Sequence, residues 1–183
     1  MKSKQDILTD ALSIYGAFSF QEAETLYSYA TSIFLPAVFV EIGSYCGRSS
    51  SILAQIARDT ESDFTCIDHF VTGAPNVTDV YEEFLKNMRN VQAKYTLLKM
   101  KSAEASLLYT KEVDLLFIDG DHDYSGVKED NALWLQKVKP NGIVLWHDYV
   151  SSWEGVRQAV DEDTSGFETL QIANSLIVKR KTV

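Results

Sequence analysis

Cysteine is scarce in this chain: Cys46 and Cys66 are too few and too far apart for a zinc knuckle or a disulfide framework. Both read as small buried thiols, although Cys46 could line a pocket. Positive charge is short as well. Seventeen Lys and Arg against twenty-six Asp and Glu leave a formal net charge of -9, which repels a phosphate backbone and speaks against nucleic acid as a partner. No apolar run approaches the length of a membrane span, and Met1-Lys2-Ser3-Lys4-Gln5-Asp6 opens onto an amphipathic pattern rather than a signal-peptide core. No membrane is expected, and the cytoplasm is the default location. Repeats, low-complexity tracts and interdomain linkers are missing too, so the 183 residues should form one structural domain.

What the sequence does hold is organised around Val38-Phe39-Val40-Glu41-Ile42-Gly43-Ser44-Tyr45-Cys46-Gly47-Arg48-Ser49-Ser50. It reads as a buried parallel strand ending in an acidic residue, a glycine loop, and a helix entered at the serines. Gly43 and Gly47 sit where the chain turns sharply and where a Cβ would keep another molecule off the backbone. Glu41 lies at the strand's carboxyl end, where open α/β sheets bind ligands. The loop lacks the middle glycine of G-x-G-x-x-G, which lets a diphosphate approach a helix N-terminus. A cofactor without phosphates fits it better.

Two helices precede this stretch. Ile7, Leu8, Ala11, Leu12 and Tyr15 share one face of the first, and Ser19-Phe20-Gln21-Glu22 fits a capping box for the second, whose stripe runs through Ala23, Leu26, Tyr27, Ala30 and Ile33. They should form a cover over residues 1–35, with the main domain at 36–183. There, apolar runs at 38–42, 64–68, 95–100, 115–119 and 143–147 alternate with helical stripes near 49–58, 80–90, 103–109, 127–138 and 154–162. This predicts a parallel sheet with helices on both faces. Lys139-Pro140-Asn141-Gly142 reads as a turn before the fifth strand. The β runs 167–172 and 176–179 are so close in sequence that they must pair antiparallel. The loop from Val71 to Thr78 lies on the carboxyl side of the sheet, where it could act as a lid or simply be solvated.

Chemistry concentrates at the strand ends. Asp68 closes the second strand at about the separation from the glycine loop at which a carboxylate accepts both hydroxyls of a ribose. The fourth strand ends in Phe117-Ile118-Asp119-Gly120-Asp121-His122-Asp123-Tyr124 and the fifth in Leu145-Trp146-His147-Asp148-Tyr149. Neighbouring strands lie about 5 Å apart, so these ends share a rim. Asp119, Asp148 and either His122 or His147 could hold a divalent cation there: magnesium or manganese on the oxygens, zinc or iron where imidazoles bind. The same groups could instead form a metal-free cluster with a histidine as general base.

These residues resemble a family. Glu41-Ile42-Gly43-Ser44-x-x-Gly47-Arg48-Ser49, Ile67-Asp68, Phe117-Ile118-Asp119-Gly120-Asp121-His122-x-Tyr124, Pro140-Asn141-Gly142, His147-Asp148-Tyr149 and Gly155-Val156-x-x-Ala159-Val160 are similar to class I S-adenosylmethionine-dependent methyltransferases of the methyltransferase domain 24 type. The resemblance covers roughly Val38 to Val160. It implies a Rossmann-like sheet of seven strands, mostly parallel, with the last strand antiparallel. It also implies that Glu41, Gly43, Ser44, Tyr45, Gly47 and Ser49 hold the methionine part of S-adenosylmethionine, that Asp68 takes the ribose, and that Ser102 with Ala103 or Glu104 borders the adenine. Asp119 would face the methionine end and the acceptor. In related metal-dependent O-methyltransferases the ends of strands four and five carry the metal ligands, here Asp119, His147 and Asp148; His147 departs from the usual carboxylate.

A sulfonium methyl is already activated, so alignment of the acceptor and removal of its proton are the expected tasks, with Asp119, His122 and His147 as candidate catalytic groups. The expected acceptor is a small molecule offering a hydroxyl oxygen. Two rival readings stand beside this one: a nicotinamide oxidoreductase on a similar sheet, and a non-catalytic module that binds the cofactor or a partner. Exposed aromatics such as Trp153 could form a homodimer face or a substrate wall.

Overall fold

The computed structural model describes residues 2–71 and 73–182. Met1, Thr72 and Val183, which belong to the N-terminal pattern, the 71–78 loop and the end of the expected main domain, lie outside the described residues. Among these, seven strands, β1 (Val38–Ile42), β2 (Asp63–Ile67), β3 (Thr96–Leu98), β4 (Val113–Ile118), β5 (Val138–Trp146), β6 (Phe167–Ala173) and β7 (Leu176–Lys181), form one sheet in the order β3-β2-β1-β4-β5-β7-β6. The first five are parallel, and β7 runs antiparallel between β5 and β6. This is the parallel sheet with helices on both faces that the alternation of periods predicts, closed by the expected hairpin, and it takes the Rossmann-like seven-stranded form that the family resemblance implies.

Side chains of a strand alternate between faces, and here both faces are covered, which is why the central strands are apolar throughout. Phe39, Leu115, Phe117 and Leu145 join one buried layer, whereas Val40, Leu116, Ile118, Val144 and Trp146 join the other. The first layer is filled by α1 (Lys4–Ser13), α2 (Phe20–Ser32), α3 (Arg48–Thr60) and α4 (Val80–Asn90). Helices α5 (Ser102–Leu108), α6 (Tyr124–Trp134) and α7 (Glu154–Asp163) fill the second.

Three expectations change in detail. Helices α1 and α2 do not roof the sheet. Their Ile7, Leu8, Ala23, Leu26 and Ala30 share the core with Phe39, Phe117 and Leu145, so they complete a layer, and their connection at 14–19 together with Glu22 in the first turn of α2 reaches the carboxyl rim. The Lys139–Gly142 stretch is a bulge inside β5 rather than a turn before it: Val113 pairs with Val138 but Leu115 with Ile143, and Asn141 takes φ +65° to absorb the extra residues. The helical pattern expected to reach Val138 ends at Trp134 and passes through a single 3-10 turn, Leu135–Lys137. Among the described residues no helix is long and apolar enough to cross a membrane.

Candidate active site

The parallel ladder continues one residue past the strand ends and lines up the residues that matter. Gly43 N donates to Ile67 O (2.9 Å), Asp119 N to Ile42 O (2.8 Å), His147 N to Ile118 O (3.0 Å) and Asp68 N to Leu98 O (3.3 Å). Asp68, Gly43, Asp119 and His147 therefore stand in one row across four adjacent strands. The strand order reverses between β1 and β4, so the middle of the row is the switch-point crevice of an open α/β sheet. Gly43 fixes that crevice: at φ +85°, a Cβ would lie 1.9 Å from the Asp119 carbonyl oxygen. Its glycine is demanded first by close packing of two loops.

Below the loop, the Glu41 carboxylate is buried and accepts hydrogen bonds from Ser44 Oγ (2.9 Å), Ser49 Oγ (2.6 Å) and Ser50 Oγ. Burial pushes its carboxyl up to about 7, with the three hydroxyls and nearby Asp119 pulling in opposite directions. Glu41 and Ser49 thus build the floor of the loop. Above it, Asp68 Oδ2 accepts from Ser44 N (2.9 Å) and Tyr45 N (2.8 Å), while Oδ1 accepts from Phe70 N (2.6 Å). Tyr45, Phe70 and Asp148 all adopt positive φ, at 47°, 56° and 58°. Such backbone is uncommon for these residue types and concentrates where a loop must aim a group.

At the other end of the row, ligand atoms of Asp119, His122 and Asp148 lie within 4.8 Å of one another. His122 Nε2 is 2.8 Å from Asp148 Oδ2, and its ring stacks on Trp153 with centroids 4.6 Å apart. The hydrogen bond to Asp148 raises the proton affinity of His122 above the ordinary value. Burial raises the Asp119 carboxyl, although His147 opposes it; the Asp148 carboxyl stays low because His122 and His147 outweigh its burial.

His147 is not in that set. Its ring is buried, with Nδ1 3.2 Å from Asp119 Oδ1 and 3.1 Å from Asp148 Oδ2, and Nε2 3.2 Å from Ser175 Oγ and 3.5 Å from Glu22 Oε1. Ser175 Oγ gives its own proton to Glu22 Oε1 at 2.5 Å, so both ring nitrogens face acceptors. That arrangement calls for two N–H donors. Burial opposes the charged ring, but the carboxylates outweigh it and push the pKa far up. Both ring nitrogens of His147 are thus engaged by neighbouring oxygens, whereas His122 is the imidazole whose ligand atom groups with those of Asp119 and Asp148.

Residues 40–149, more than half of the chain, match the family described as a methyltransferase domain. The chain belongs to that family. A curated relative, the uncharacterized protein y4gI of Sinorhizobium fredii (strain NBRC 101917 / NGR234), is 28% identical over 120 residues, which is 62% of this chain but 13% of that protein. The chain thus spans only a small part of that relative. Among solved structures, the O-methyltransferase NovP superposes with a TM-score of 0.76 at 18% identity, over 92% of this chain and 84% of that one. The S-adenosylhomocysteine-bound methyltransferase PaMTH1 of Podospora anserina gives 0.71 at 15% identity, over 98% and 88%. TomG of Streptomyces achromogenes, an O-methyltransferase in complex with S-adenosylmethionine, gives 0.70 at 14%, over 100% and 91%. At such identities the likeness establishes the methyltransferase fold.

Within this methyltransferase domain, Ser102 opens α5 and its hydroxyl bonds to the buried Asp130 Oδ1. Burial pushes Asp130 up to about 6, against the pull of Ser102. Gly47 caps the N-terminus of α3 at φ +92°. From the 71–78 loop, the Gly73 carbonyl accepts a hydrogen bond from Tyr45 Oη at 3.3 Å. Sequence reasoning missed Glu22, Ser175 and Phe18. Glu22 was visible as a helix cap, but no local pattern shows that it also reaches Ser175 and His147; Phe18, whose ring sits 5.4 Å from that of His147, carries no sequence signal at all.

Proposed function

We propose that the chain transfers the sulfonium methyl of S-adenosylmethionine to an oxygen of a small-molecule acceptor, as a cytoplasmic enzyme. The observation that carries this reading is the row Asp68–Gly43–Asp119 across the switch point, with His122 and Asp148 beside its far end. Asp68 sits two strands from Asp119, a span of about 10 Å at sheet spacing. A ligand with ribose at one end and a reactive methyl at the other suits that span. Asp68 binds the ribose through Oδ1, which has a single backbone donor, while Oδ2 and Glu41 keep the loop in shape. The Gly43–Gly47 loop carries the methionine part, and Ser102 with Ala103 the adenine edge. The net charge of -9 favours a small acceptor over a nucleic acid.

Methyl transfer needs the acceptor oxygen in line with the methyl and relieved of its proton. His122, half-exposed and hydrogen-bonded to Asp148, stands where it can take that proton, and Trp153 stiffens the ring. Asp119 orients the acceptor hydroxyl. Two carboxylates and an imidazole with ligand atoms this close also fit a divalent cation of the magnesium or manganese kind, held by Asp119, His122 and Asp148. Such a cation, when bound, lowers the pKa of a coordinated hydroxyl.

The test is incubation with methyl-tritiated S-adenosylmethionine and a panel of hydroxylated small molecules, with and without Mg²⁺ or Mn²⁺. Label should pass to an acceptor oxygen, and transfer should fall at least 10²-fold in His122→Gln and Asp119→Asn. Cofactor binding with no transfer to any compound would favour the non-catalytic module instead.

A further inference from the structure

Glu22 is more deeply buried and more heavily used than a helix cap requires. Its Oε2 accepts from Ser19 N and Ser19 Oγ, both at 2.7 Å, which closes the capping box of α2. Its Oε1 accepts from Ser175 N (3.0 Å) and Ser175 Oγ (2.5 Å), in the turn between β6 and β7. Ser175 Oγ in turn lies 3.2 Å from His147 Nε2, and His147 Nδ1 touches Asp119 and Asp148. The chain of contacts runs without a break from the N-terminal helix, through the hairpin turn, to the two carboxylates of the rim. Ser175 Oγ stands at its centre, donating to Glu22 Oε1 while lying within hydrogen-bond distance of His147 Nε2.

We infer that Glu22 is a positioning residue for the candidate active site, holding His147 through Ser175 so that His147 fixes the orientation of Asp119 and Asp148. This rests on the methyltransferase reading of that rim. A carboxylate suits the task because acceptors are needed on both oxygens, one for the cap and one for the turn. Glutamine has a single acceptor oxygen and must leave one side unpaired. The relay also makes the N-terminal helices part of the site, although α2 places no other charged group on the rim ligands.

The experiment is titration of Mn²⁺ into the protein saturated with S-adenosylhomocysteine, followed by paramagnetic resonance, for the parent, Ser175→Ala, Ser175→Thr and Glu22→Gln. Thermal unfolding of each variant, and its affinity for S-adenosylhomocysteine, are measured alongside. Ser175→Ala removes the hydroxyl without touching the cap, so the fold stays measurable if Glu22→Gln unfolds. We expect Mn²⁺ affinity to fall at least tenfold in Ser175→Ala and in any folded Glu22→Gln, with S-adenosylhomocysteine affinity kept, and to return in Ser175→Thr, which restores the hydroxyl. Unchanged or tighter Mn²⁺ binding in Ser175→Ala, or no Mn²⁺ uptake by the parent, overturns the inference while leaving the methyltransferase reading in place. Failure of the parent to bind S-adenosylhomocysteine overturns that reading itself.

Discussion

Gly43 and Glu41 show how a residue's neighbours decide its task. Gly43→Ala would place a methyl 1.9 Å from the Asp119 carbonyl oxygen, and backbone on both sides of that contact cannot yield without opening the β1–β4 junction. Thermal or denaturant unfolding should register a loss of about 4 kcal/mol or more, or no folded protein. Glu41 gives a pH signature. Its carboxyl rises from an ordinary 4.5 to about 7 in the fold, so between those values the folded chain holds a proton that the unfolded chain has released. Stability therefore falls as pH rises through that window, by on the order of 3 kcal/mol from this group. Denaturant unfolding at pH 4.5 and 7.5 should show the parent losing that much more than Glu41→Gln; parallel pH curves would disprove the assignment. Glu41 was legible in the sequence as the acid before the glycine loop. Its burial under Ser44, Ser49 and Ser50 was not, because which serines of a helix's first turn point back at the strand is set by the turn at Gly47.

At the scale of elements, the stretch between α1 and α2 depends on α3. Arg48 Nε donates to Ile14 O at 2.7 Å and Nη1 to Phe18 O at 2.6 Å, so the residue that opens α3 also holds the segment at the rim. Arg48→Ala should cost about 2 kcal/mol and speed amide exchange across 14–19, while α2 and the sheet keep their protection. Uniform exchange changes, or none, would contradict this. Element types were readable from periodicity because long apolar stripes of period 3.6 and short buried runs are distinct signals. The Lys139–Gly142 stretch misled because Pro, Asn and Gly mark a bulge and a turn alike. The placement of α2 in the helical layer on one face of the sheet, with Glu22 reaching Ser175 and His147, was beyond reach. Those partners lie far along the chain, and nothing in a local pattern names a distant acceptor.

At the scale of the whole molecule, topology does most of the assembly. Four adjacent parallel strands bring Asp68, Gly43, Asp119 and His147 into one row, and the hairpin of β6 and β7 brings Ser175 up behind His147. The row could be read from the sequence because every member directly follows a recognisable buried strand. The choice between His122 and His147 could not, since it turns on what surrounds each ring: one stacks half-exposed on Trp153, the other is walled in by Glu22, Asp119, Asp148 and Ser175. Calorimetric titration of the EDTA-treated protein with S-adenosylhomocysteine, with NAD as the comparison ligand, tests the central claim most directly. The account predicts binding of S-adenosylhomocysteine alone, lost in Asp68→Ala without a change in secondary structure. Binding of neither ligand, or full binding by Asp68→Ala, would contradict it.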